Sequence, residues 1–295
     1  MTKCGFLASL DIEIQSRAIM QKVSSPKITS LFPLILLFGL MLCASCGRET
    51  KEEQNQVSQE EKKTEALSPA QKIIRESIRV HGGDLYKNAK VSFVFRERSY
   101  SYLQEEGKYR YERIFKDSAG QHIEDILSND GFERKIEAKT SEVAPEMQRR
   151  YANSINSVMY FTFLPFKLQD PAVRAEYLGT GQIHAEPYEK VKVTFASEGG
   201  GEDYQDIFIY WFHQEKHTLD YLAYSYETDG GGVRFRESRD RQNREGLVFQ
   251  NYNNYKAPKE VNIETLDSLF EAGELEMLSE IVNEIQSVEI LAENN

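Results

Sequence analysis

Cysteine is nearly absent. The 295-residue chain has three, Cys4, Cys43 and Cys46, and none follows Cys46. A domain built from the remaining residues holds no disulfide, no thiolate metal site and no thiol nucleophile. Tryptophan occurs once and histidine five times. His213 and His217 are four apart, but they flank a strand–strand turn. No Glu follows His213 and no third ligand is evident, so zinc is not expected there. The sequence has no Gly-x-Ser-x-Gly elbow and no phosphate loop ending in Gly-Lys-Ser/Thr. Lys190 and Lys192 alternate with Val191 and Val193 and are expected to face solvent, which disfavours lysine chemistry. Positive charge is also scarce. The chain carries a net charge of −11, and the first 45 residues hold four basic and two acidic groups, which leaves −13 after them. That balance disfavours nucleic acid as a partner. No cofactor is implied by any motif, and catalysis is not the expected role.

The single long apolar run, Leu31–Ala44, is too short to span a bilayer comfortably, and Pro33 interrupts it. Arg17, Lys22 and Lys27 precede it, so 1–45 is expected to be a signal peptide, with Met20 as an alternative start. Small residues Ala44 and Ser45 before Cys46 resemble the lipobox of bacterial lipoproteins, in which the cysteine takes the lipid. The usual Leu three places before that cysteine is Cys43 here. The expectation is a cell-envelope protein held on a membrane, most plausibly the outer one, through lipid on Cys46. Residues 46–67 are polar, with almost nothing to bury, and are expected to form a disordered tether. Residues 68–295 are expected to form a single β-rich domain.

Sixteen Tyr and sixteen Phe favour strands. Ser68-Pro69-Ala70-Gln71 opens a helix with a capping box, and Gly82-Gly83 closes it. Strands are expected over Val91–Glu97, Lys108–Phe115, His122–Ser128 and Phe132–Ala138, the last two joined at Asn129-Asp130-Gly131. A second helix is expected from Pro145 to near Pro165. Strands resume over Val173–Gly179, Tyr188–Ala196, Tyr204–His213, Thr218–Glu227, Val233–Arg239 and Leu247–Tyr255. Ile207–Phe212 is apolar on both faces, as in a strand covered on both sides. Ile263–Ala272 reads as helical. Glu280–Ile290 reads as a final strand, with an acidic partner-binding tail as the rival.

Ala70–Tyr86 and Tyr210–Leu219 resemble segments of periplasmic lipoprotein-sorting factors, LolA and LolB. That resemblance implies a curved antiparallel sheet, an incomplete barrel wrapped around helices, with room for an apolar small molecule or lipid. A resemblance covering more of the chain rests on many short blocks in one order. They include HGGDLY, YERIF, NSVMYF, KVKVTF, EGGGED, TLDYLAYS, TDGGG and NYKAP. Together they resemble an uncharacterised family of Bacteroidetes lipoproteins, DUF6503, which supplies no activity.

Two site hypotheses follow from the residues. Trp211, Tyr221, Tyr224 and Tyr226 would line an apolar ligand cavity. Alternatively, the acidic Gly-rich turns Glu198–Asp203 and Glu227–Gly232 would gather Glu202, Asp203, Glu227 and Asp229 around a divalent cation, as in a metal-dependent hydrolase.

Overall fold

A computed structural model describes residues 66–196, 206–226 and 231–292. Helix α1, Pro69–Val80, begins with the expected capping box: the Gln71 N–H donates to Ser68 Oγ and the Ser68 N–H to Gln71 Oε1. Its apolar stripe, Ala70, Ile74 and Ile78, recurs every four residues and is buried. The helix ends because Gly82 takes φ +129°. A Cβ there would stand 2.9 Å from the Gly246 carbonyl oxygen and from Leu247 Cδ2, so only glycine fits. A 3₁₀ turn over Gly83–Asn88 follows and buries Tyr86.

Among the described residues, fourteen strands then form two antiparallel sheets. Sheet I contains β1 (Ala89–Phe95), β2 (Arg98–Glu105), β3 (Lys108–Lys116), β4 (His122–Ser128), β5 (Gly131–Ile136) and β6 (Lys139–Ser141). Sheet II contains β7 (Val173–Ile183), β8 (Glu186–Phe195), β9 (Ile207–His213), β10 (Leu219–Tyr226), β11 (Gly232–Arg244), β12 (Leu247–Ala257) and β13 (Glu276–Ile281). The last strand, β14 (Glu284–Ile290), leaves sheet II and pairs with β1, giving the order β14-β1-β2-β3-β4-β5-β6. The expected single strand over Glu280–Ile290 is therefore a bend between two strands. Asn283 is the corner: its N–H donates to Asn251 Oδ1 at 2.9 Å, which satisfies a buried polar group where the ladder breaks. The acidic C-terminal segment is built into both sheets, β13 on β12 and β14 on β1, so 276–290 is paired strand rather than a free tail.

The sheets do not close into a barrel. β6 and β7 are the outer strands, and helix α2, Pro145–Thr162, connects them across the open seam. Between the sheets lies one continuous core to which α1, α2, both sheets and the 163–168 turn contribute. Tyr102 stacks on Phe163 with ring centroids 4.0 Å apart, and Tyr86 stacks on Phe166 at 4.8 Å.

β9 is covered on both sides, as its sequence implies. Phe208, Tyr210 and Phe212 face the helices between the sheets. Ile209 and Trp211 face a second core under helix α3, Leu266–Glu271, with Leu266 and Phe270 packed over them. This outer cover corrects the expectation for Lys190 and Lys192. They point outward from β8, but the 263–271 segment lies over them. Lys190 Nζ donates to Asp267 Oδ2 at 2.8 Å and Lys192 Nζ to Glu264 Oε1 at 3.0 Å.

Candidate functional site

Aromatic rings cluster on the inner face of sheet II where the last turn of α2 packs against it. Tyr160 and Phe161 come from the end of α2, Phe195 from β8, Phe208 from β9 and Tyr224 from β10. Their centroids lie 5.4 to 6.3 Å apart in successive pairs. Phe208 is buried, while Tyr160, Phe161, Phe195 and Tyr224 are partly buried. Period-two alternation places the sheet rings on one face, and the last turn of α2 supplies the facing pair. The Tyr160 and Tyr210 hydroxyls share a hydrogen bond at 2.7 Å and tie helix to sheet.

Arg236, on β11, sits within this aromatic layer. It is 8% exposed, and its guanidinium carbon lies 4.0 Å from the Phe161 ring centroid and 5.1 Å from that of Tyr224. Nη2 donates to the Tyr224 hydroxyl at 2.9 Å, whereas Nε has no partner. Among the described residues no carboxylate pairs with it. Burying an ion has an effective cost on the order of several kcal/mol. A cation–π contact returns about 2 kcal/mol at best, and an arginine cannot escape by losing its proton. Three other cations with little exposure have a carboxylate partner. Arg113 and Arg134 share Asp125, each at 2.6 Å. Lys190 has Asp267. Lys167 donates to the Tyr111 hydroxyl, and burial pushes its ammonium down to about 8.

The Arg113–Asp125–Arg134 group also shapes the seam. Arg113 Nη1 donates to Ser154 on α2 at 2.9 Å, and the Arg134 guanidinium lies 3.7 Å over the Tyr151 ring. The fully buried residues of α2 all lie in its second half: Ile155, Val158, Met159 and Thr162. The first half therefore docks through polar and ring contacts rather than through an apolar stripe. A surface groove of about 610 Å³ runs beside it, lined by Phe132, Arg134, Thr140, Val143 and Gln148. Another of about 570 Å³ lies along the β7 edge, lined by Leu67, Gln71, Val173, Ala175 and Lys192.

The model of the family of unknown function DUF6503 matches residues 63–283. The chain belongs to that family. No curated protein matches this DUF6503 chain in sequence. It is similar in structure to the LolA superfamily protein NE2245 from Nitrosomonas europaea, with TM-score 0.44 and 8% identity over 78% of this chain and 96% of that one. A putative outer membrane lipoprotein-sorting protein domain from Vibrio parahaemolyticus gives TM-score 0.38 and 7% identity over 74% and 90%. Lipoprotein LppX from Mycobacterium tuberculosis gives 0.26 and 12% over 65% and 96%.

The four aromatics expected to line one cavity in this DUF6503 chain fall on two faces of sheet II. Trp211 and Tyr221 are buried in the outer core under α3. Tyr224 faces the interior, and Tyr226 follows it on the same face at 6.0 Å. Residues 221 and 224 differ in parity along one strand, so they cannot share a wall. Glu202, Asp203, Glu227 and Asp229 lie outside the described residues, as does Cys46. Among the described residues no three His, Cys, Asp or Glu side chains gather as a metal ion would require. His213 is buried: Nε2 meets Glu186 Oε2 at 2.8 Å, and Nδ1 accepts the N–H groups of Glu215 and Lys216. It is a turn-forming residue. His81 is likewise buried, and its Nδ1–H donates to the Ser77 carbonyl at 2.8 Å. Burial pushes its imidazole down to about 4, so it caps α1 as a neutral donor and not as a cation at the helix end. Among the described residues no helix is long and apolar enough to cross a membrane.

Arg236 is the residue that sequence reasoning misses. In Arg234-Phe235-Arg236-Glu237 it reads as the polar half of a half-buried strand. The available signal was β10, whose Leu222 and Tyr224 lie beside the even positions of β11. An arginine on an apolar face needs a reason.

Proposed function

We propose that this chain is an exported lipoprotein of the cell envelope that is anchored through Cys46 and binds an apolar ligand between its two sheets. The observation that carries the binding reading is the row of partly buried rings, Tyr160, Phe161, Phe195 and Tyr224. They keep some solvent contact beside an aromatic interior whose sheets are not closed into a barrel. α1 and α2 fill that interior, so a ligand enters by displacing part of α2. Its first half, which lacks a fully buried residue, is the part that moves at least cost. The apolar run before Cys46 and the polar tether after it support the address. The tether gives the domain reach from the bilayer.

The binding test is native mass spectrometry and solvent extraction of the chain purified from a bacterial host. The expected result is co-purified lipid, or uptake of a fluorescent apolar probe after stripping. A chain that carries none and takes up no probe overturns the binding reading. The address is tested separately by acyl labelling: label on the wild type and none on Cys46→Ser is expected, and an unlabelled wild type overturns the anchor.

A further inference from the structure

We infer that Arg236 is the anchor for an anionic head group, so that the ligand is an amphiphile with one acidic end rather than a neutral lipid. This inference rests on the apolar-ligand reading above. Three observations meet at one place. The guanidinium is buried and permanently charged, and no described carboxylate neutralises it. Its Nε donor has no partner among the described residues. Asn254, the register partner of Arg236 on β12, is 6% exposed, and its Oδ1 has no partner either.

Directly opposed residues of an antiparallel pair share a face, with Cβ atoms about 5 Å apart. The two unsatisfied side chains are therefore neighbours. The other amide atom of Asn254, Nδ2, reaches Ser279 Oγ only at 3.5 Å. Turning the amide over gives that hydroxyl an acceptor and presents the NH₂ as a donor toward Arg236. Nε and this NH₂ then form a two-point donor set from adjacent strands, suited to a carboxylate or a phosphate oxygen pair.

The surroundings specify the rest of the ligand. Phe161, Tyr224 and Tyr252 ring the guanidinium at 4.0, 5.1 and 5.9 Å. Phe161 and Tyr224 are only partly buried, so the head group site lies one ring's thickness from solvent. An anion arriving there brings its chain against Phe208, Tyr160 and Phe195. A small hydrophilic anion gains nothing from those rings, and a neutral lipid leaves the charge unanswered. Only an acidic amphiphile satisfies both.

The full chain, stripped of bound lipid, is titrated by calorimetry with dodecanoate, dodecyl phosphate and dodecanol. The expected result is that at least one of the two anions binds about tenfold or more tighter than the alcohol, and whichever binds tighter names the head group. Arg236→Met is expected to bind all three alike, while melting at a temperature at least as high as wild type because the unanswered charge is gone. Asn254→Leu is expected to lose part of the preference. Alcohol and anions binding equally to the wild type overturns the head group assignment and leaves the apolar-ligand reading standing. Binding of none of the three overturns both. An Arg236→Met chain that melts well below wild type overturns the assignment by showing that Arg236 holds the fold.

Discussion

The indole N–H of Trp211 donates to Asp267 Oδ2 at 3.1 Å, and the same oxygen accepts Lys190 Nζ at 2.8 Å. One carboxylate thus pins α3 to the outer face of β8 and β9. Removing it leaves the indole N–H under α3 without its acceptor and Lys190 with only the Glu264 carbonyl, at 2.7 Å. Asp267→Ala is expected to destabilise the chain by about 3 kcal/mol in urea unfolding, in the range for breaking a buried pair. Replacing the pair with apolar residues, as in Lys190→Met with Asp267→Leu, is expected to recover most of that loss. The chain's one tryptophan reports the change directly, and its emission shifts to the red when α3 lifts. An Asp267→Ala chain as stable as wild type shows that the apolar contacts of Leu266 and Phe270 hold α3 alone.

Asp125 does corresponding work inside the seam. It is fully buried and ion-paired to both Arg113 and Arg134, which in turn hold Ser154 and Tyr151 of α2. Asp125→Asn leaves two guanidinium groups with one neutral partner. The expected loss is about 3 to 5 kcal/mol. Hydrogen exchange is expected to speed up over 145–154 more than over 155–162, because the second half of α2 keeps its apolar burial. Uniform acceleration along the helix contradicts the division of α2 into a loosely and a firmly docked half.

Lys167 links stability to alkaline pH. Burial pushes its folded-state value down to about 8, against about 10.4 in an unfolded chain. Between those values the unfolded state binds more protons, so stability is expected to rise with pH at up to about 1.4 kcal/mol per pH unit. The rise ends near pH 10, where the buried tyrosines, whose values burial raises, begin to favour unfolding. Lys167→Met is expected to flatten the curve between pH 8 and 10 and to gain stability at pH 7. Parallel curves for the variant and the wild type show that Lys167 keeps ordinary lysine titration.

The strands and helices that sequence patterning finds are those with a local signal. Ser68 and Gln71 announce α1, Pro145 opens α2, and Asn129-Asp130-Gly131 marks the β4–β5 hairpin. The doubly apolar Ile207–Phe212 announces a strand with two covers. β2 and β6 go unseen for one physical reason. The turns before them, Arg96-Glu97 and Glu137-Ala138, both take positive φ without a Gly or Asn. Primed hairpin turns normally advertise themselves through those residues. His184-Ala185, between β7 and β8, hides in the same way. The four aromatics expected to share one wall do not. Tyr224 and Tyr226 lie on the inner face of sheet II, whereas Trp211 and Tyr221 are paired neighbours on its outer face. Parity within each strand is readable from sequence, whereas which parity faces the helices is settled by α3, whose packing side a short acidic segment does not disclose. Arg236 is invisible for a different reason: that no described carboxylate pairs with it is a property of three-dimensional neighbours.

His81 sets the acid limit of the fold. Burial, helped by Arg241, holds its imidazole near 4, against about 6.5 when unfolded; the Ser77 carbonyl and Asp220 oppose the shift but do not cancel it. With a depressed folded value the unfolded state takes up its proton first as pH falls. Stability from this group is therefore complete above pH 6.5 and is lost progressively down to pH 4, roughly 3 kcal/mol in total. The Nε2 atom explains the size of the effect, because it is buried without a partner and a proton there has nothing to donate to. His81→Gln removes the titration and can keep the bond to Ser77 through its amide. Urea midpoints measured from pH 4 to 7 are expected to fall steeply at low pH in the wild type and to run flatter in the variant. The variant is expected to lie lower at pH 7, where an imidazole fills the site better, and the two curves to converge near pH 4. Equal slopes between pH 4 and 6.5 would place the acid sensitivity of this chain elsewhere.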